Sequence, residues 1–96
     1  MSWSVRISEP AQRDLEEIDA WYSARDPVAA EHLVGRIFQA AQGLAVFPEM
    51  GRAGRVEGTR ELVVTDTPYL VAYRVRGEVV EIARVLHHAR AWPSGL

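Results

Sequence analysis

Arg60, Arg74, Arg84, His87, His88 and Arg90 are the side chains of this chain that could do chemistry together. Guanidinium groups stabilise the charge that builds on a phosphorane during phosphodiester cleavage. An imidazole, with a reference pKa of about 6.5, moves protons near neutral pH. Tyr73 or Trp92 offers a ring on which a base could stack. A phosphodiester is the substrate such a set would suit. The same residues also have an ordinary reading, in which Arg74 makes a cross-strand pair with Glu81 and the rest lie on a solvated face.

Other chemistries find no footing. His87 and His88 are adjacent, so on a strand they point to opposite faces and do not share a metal ion. His32 belongs to a distant helix, so no metal and no cofactor are expected. Gly51-x-x-Gly54 lacks the strand–loop–helix setting and the Lys-Ser/Thr ending of a phosphate loop. Ser94 has no visible partner. There is no cysteine, hence no disulfide scaffold and no thiolate chemistry.

The elements that must position these groups follow from the pattern. Trp3, Val5 and Ile7 alternate with Ser4 and Arg6, which predicts a half-buried strand. Ser8 is placed to cap a helix, with Pro10 tolerated in its first turn. Ala11, Leu15, Ile18 and Tyr22 recur at helical spacing, and Asp14, Glu16, Glu17 and Asp19 are expected on the wet side. Asp26-Pro27 stops that helix and starts another, running to about Ala45. The second helix carries a broad apolar stripe. Leu33, Ile37, Phe38 and Leu44 from that stripe are the candidates for docking a partner.

Residues 47–58 hold three glycines and two arginines, and they read as an exposed, partly mobile loop. A meander follows: Arg60–Thr65, Tyr69–Arg76, and Val79 onward. Gly77-Glu78 suits a two-residue type II′ hairpin. That register sets Arg76 opposite Val79, Arg74 opposite Glu81, Ala72 opposite Ala83 and Leu70 opposite Val85. Tyr69, Val71, Tyr73, Val75, Val80, Ile82 and Leu86 then form the core face. Arg84 falls awkwardly among them, unless it snorkels to an edge or a bulge re-aims it. The fold class is α+β: an N-terminal strand, an antiparallel helical hairpin and a three-stranded antiparallel meander, in one domain spanning 1–96.

Charge is uneven. The net is −2 and every cation is arginine. Residues 1–48 hold 4 Arg against 7 acids, and residues 49–96 hold 7 Arg against 6 acids. The cations sit with the sheet, where guanidinium groups suit carboxylate or phosphate. No apolar run approaches the ~20 residues that cross a bilayer, and no signal-peptide stretch opens the chain, so the expected compartment is the cytoplasm.

Several pieces, in order, resemble the RelE/ParE superfamily of bacterial type II toxins. They are Ala11-x-x-Asp14-Leu15-x-x-Ile18, Leu44-x-x-Phe47-Pro48-x-x-Gly51-Arg52 and Arg60-Glu61-Leu62. Tyr69-Leu70-Val71-x-Tyr73-Arg74-Val75, Ile82-x-Arg84-Val85-Leu86-His87 and Arg90-x-Trp92 complete the series. The resemblance implies a toxin held inactive by a co-encoded antitoxin, which lays a helix across apolar grooves and often adds a strand. It also implies one of two targets. ParE-like members poison DNA gyrase without catalysis, and Arg84, His87, His88, Arg90 and Trp92 would then bind the target. RelE-like members cut messenger RNA on the ribosome. In that case His87 would be the acid or base, and Arg60 and Arg84 would hold the phosphate. Absence of lysine, a negative net charge and a long helical hairpin favour the first, since RNA-rich targets favour basic proteins. A decayed toxin or a plain interaction module is the remaining reading.

Overall fold

The computed structural model describes residues 2–89. Arg90 and Trp92 lie outside the described residues. The elements run β1 (Ser4–Ile7), α1 (Glu9–Ser23), α2 (Pro27–Gly43), β2 (Arg52–Ala53), β3 (Arg60–Val63), β4 (Tyr69–Arg76) and β5 (Val79–His87). The strands form one sheet of order β1-β5-β4-β3-β2. The meander is as predicted. The sequence reading left β1 without a neighbour and missed β2. In fact β1 runs parallel to β5, with Ser4 opposite Val79, and β2 pairs with β3 inside the stretch expected to be loop.

The helix ends obey their caps. Ser8 accepts the Ala11 N–H, and Asp26 accepts the Val28 and Ala29 N–H groups. Both helices lie on one face of the sheet, α1 along β5 and α2 along β4. The core between them is built from Ala11, Leu15 and Ile18, from Ile37, Ala41 and Leu44, and from Val71, Tyr73, Val80, Ile82 and Val85 of the sheet. Burying each large side chain there is worth roughly 1.5–3 kcal/mol.

Gly77 alone in the β4–β5 turn has positive φ, at 57°, in keeping with the predicted hairpin. Register holds as expected from Arg76↔Val79 to Tyr73↔Ile82. It then shifts by one residue, so Ala72 faces Arg84, Leu70 faces Leu86 and Val71 faces Val85. The bulge corrects three expectations. Leu86 leaves the core face and Val85 takes its place. Arg84 is moved off the apolar row, the bulge being one of its two foreseen escapes. Val75, near the hairpin end, is exposed rather than core.

Ile37 and Leu44 are buried in the chain's own core, so they are withdrawn as docking residues. A stripe broad enough for two neighbours is mostly spent on the sheet and α1. Leu33 stays partly buried, and Phe38 is exposed.

Candidate functional site

Arg84 does not stand open at the sheet's end. β1 covers one side of β5 only as far as Ile82. Past that point the edge of β5 is closed by α1 and its cap. The Ser8 hydroxyl donates to the Ala83 carbonyl at 2.9 Å, and Asp14 accepts the Val85 N–H at 2.9 Å. Asp14 also takes both arms of Arg84, at 2.7 Å from Nε and 2.8 Å from Nη2. Hydrogen bonding to Asp14 raises the Arg84 pKa, outweighing the opposite effect of burial. A planar fork on a carboxylate is the strong geometry for this pair. Asp14 is therefore buried and structural, not on the wet side. Its place between Ala11, Leu15 and Ile18 in the helical stripe was the signal available for it.

Arg60 is engaged at the opposite end. It sits opposite Tyr73, and its Nη1 donates to the carbonyls of Gly51 at 2.8 Å and Glu49 at 3.3 Å. The buried Tyr73 hydroxyl donates to the Pro48 carbonyl at 2.8 Å and accepts the Gly51 N–H at 2.9 Å. Burial raises the Tyr73 pKa, although the Gly51 bond and the Arg60 charge pull the other way. A Cβ on Gly51 would lie 2.7 Å from that hydroxyl, so only glycine fits. The loop expected to be mobile is thus held from behind at residues 48–51.

Its continuation is held by Glu61, a buried carboxylate that sequence reasoning missed. Glu61 accepts the Arg55 N–H at 2.8 Å and faces the guanidinium groups of Arg52 and Arg55, each at 3.3 Å. Burial pushes its carboxyl up, but these three donors outweigh that and hold it below the ordinary value.

His87 closes the far end of β5. Its ring meets Tyr69 edge-on with centroids 5.4 Å apart, and it stacks on His88 at 5.4 Å. The strand ends at His87, so the chain turns and the two imidazoles lie together, not on opposite faces as predicted. The Ala89 N–H donates to His87 Nδ1 at 3.2 Å, which assigns the neutral ring's proton to Nε2. Among the described residues no group of three or more His, Cys, Asp or Glu side chains could hold a metal ion.

Arg60, Arg84 and His87 therefore do not converge. Arg60 lies level with Tyr73 and His87 level with Tyr69, four positions along β4, or about 13 Å at ~3.3 Å per residue. What the arrangement offers is two separated surfaces: an imidazole–aromatic cluster at the end of β5, and a pinned loop at the end of α2.

Comparison with known proteins agrees with this architecture. Residues 5–92 match the family model described as ParE toxin of type II toxin-antitoxin system, parDE. The chain is 44% identical over 94 residues to "Putative toxin Y4kP" of Sinorhizobium fredii, covering 98% of this chain and 93% of the relative. It is 35% identical over 86 residues to toxin RelE3 of Caulobacter vibrioides, covering 88% and 92%. Among solved structures it resembles a chain of the chromosomal ParDE system of P. aeruginosa, with a TM-score of 0.80 at 26% identity, over 88% of this chain and 94% of that one. A chain of the RelBE2 toxin–antitoxin complex of Mycobacterium tuberculosis matches with a TM-score of 0.66 at 25% identity, over 94% and 95%. With two helices on one face of an antiparallel meander and a family match across nearly its whole length, this chain belongs to the ParE toxin family of the RelE/ParE superfamily of type II toxins.

Proposed function

We propose that the chain is the toxin of a type II toxin–antitoxin pair, that it arrests growth by binding DNA gyrase rather than by cutting RNA, and that a co-encoded antitoxin neutralises it. The observation that carries the binding reading is the dispersal of the cleavage candidates. Arg84 is spent on Asp14, Arg60 on two loop carbonyls, and neither lies beside His87. A phosphoryl-transfer site needs its charges aimed at one reacting atom. His87 and His88, with Arg90 and Trp92 beyond the described residues, are the proposed target contacts. Leu33 and Phe38 on α2 remain as antitoxin contacts.

The second reading, ribosome-dependent mRNA cleavage, is favoured by one observation: three relatives in Caulobacter vibrioides, 32–39% identical, carry RelE names. Brief induction in bacteria separates the two. Broken chromosomal DNA with intact mRNA, and a His87→Ala variant that still arrests growth at higher dose, is the expected result. Cut mRNA that His87→Ala abolishes would move the assignment to the RelE-like reading.

A further inference from the structure

The Leu44-x-x-Phe47-Pro48-x-x-Gly51 motif does two things at once. Leu44, Pro48 and Gly51 point inward and are buried. Val46, Phe47 and Met50 point outward, at 58%, 62% and 56% exposure. Together with Trp3 they line an open cavity of about 470 Å³ whose one ionisable lining group is Glu49. Three large apolar side chains exposed within five residues are unusual for a lone domain. Here they are also rigid. Tyr73 and Arg60 hold the loop from behind, the Val46 and Phe47 N–H groups bond to the Gly43 carbonyl, and the Trp3 N–H bonds to the Ala45 carbonyl. A preorganised apolar surface loses little freedom when covered.

Resting on the toxin–antitoxin reading above, we infer that this platform seats an amphipathic segment of the antitoxin, which inserts a bulky apolar side chain against Phe47 and Met50 and presents a Lys or Arg to Glu49. Charge selects that occupant. A second copy of this chain, meeting its own patch across a two-fold axis, would set Glu49 against Glu49. A cation beside an apolar anchor completes the cavity instead. Continuity points to a polypeptide as well. Ser4 and Ser8 donate to β5, so Val5 and Ile7 direct their backbone groups to the open edge of β1, which begins at Trp3. A segment seated on the platform can continue as a strand along that edge. The platform lies at the Tyr73 end of β4, away from the His87 cluster. Antitoxin can therefore grip the toxin at a surface separate from the proposed target contacts.

The test titrates the purified chain with the protein encoded by the adjacent antitoxin gene and, in parallel, scores growth arrest with and without that gene. Phe47→Ala is expected to weaken the complex about 30-fold or more, as loss of an aromatic anchor does. Its growth arrest should no longer be relieved by the antitoxin, and its circular dichroism should match the parent. Glu49→Gln should weaken binding a few-fold and flatten its salt dependence. Unchanged affinity in Phe47→Ala overturns the inference. So does lost growth arrest with antitoxin affinity intact, which would give the platform to the target. A dimer of the chain alone that Phe47→Ala dissolves, with antitoxin affinity unchanged, overturns it in favour of a second copy. If the parent chain neither arrests growth nor binds the antitoxin, the toxin–antitoxin reading itself fails.

Discussion

Asp14 and Glu61 are both buried carboxylates that hold a backbone N–H and arginine side chains, yet they do different work. Asp14 joins a helix to a strand 70 residues away, and its Arg84 partner is only 25% exposed. Glu61 joins a strand to the next-door loop, and its partners Arg52 and Arg55 are 63% and 49% exposed. The first pair is shielded from water and closes a sheet edge that would otherwise stay open. The second is a tether whose charges are largely solvated. Low dielectric makes the first strong when intact and costly when broken, while solvent screens the second.

Breaking the first pair should have the largest effect. Asp14→Ala leaves a guanidinium and the Val85 N–H without their acceptor, which should cost about 3–5 kcal/mol in urea unfolding. Asp14→Asn should recover part of that, because an amide oxygen can still accept from Val85. Equal loss in both variants would mean the charge pair alone matters.

Glu61→Gln should cost less, about 1–3 kcal/mol at neutral pH. The cost should also depend on pH. The Glu61 carboxyl is held below its ordinary value of 4.5, so its contribution is complete above that value. It is lost as pH falls through the lower folded value. The stability gap between parent and variant should therefore shrink on acidification below 4.5, and a gap constant down to pH 2 would count against the tether.

Arg52→Ala sharpens the contrast from the smallest end. An exposed arginine beside a carboxylate contributes about 0.2–1 kcal/mol, and Arg55 can retain Glu61 without it. A larger loss would mean that Arg52 anchors β2 in a way its exposure does not suggest.

Local features were legible in the sequence, and long-range ones were not. Ser8 and Asp26 announced both helices because capping is chemistry within three residues. Gly77 announced the hairpin because a tight turn demands its backbone freedom. The bulge was half legible, since Arg84 on an apolar row had to be explained somehow. Its cause, Asp14, was hidden because four acids in α1 look alike until packing shows which one faces the sheet. Arg60 and Arg84 looked catalytic for a similar reason. Their residue type fits phosphate as well as it fits the loop carbonyls and Asp14, and only geometry chooses. Glu61 gave no sign, because alternation along a four-residue strand does not tell a paired carboxylate from a solvated one.

The parallel pairing of β1 with β5 bears on how the molecule comes into being. Ser4 must wait for Val79, so the sheet acquires its β1 edge only when synthesis is nearly complete. At about 5–20 residues per second, that interval is roughly 4–15 s. The helical hairpin, whose contacts are local, is available from early on, whereas β5 is the last strand to emerge and carries both His87 and the Arg84 that α1 must clasp. Each newly made molecule thus passes through a period in which its helices exist and its proposed target surface does not, a delay set by chain order alone.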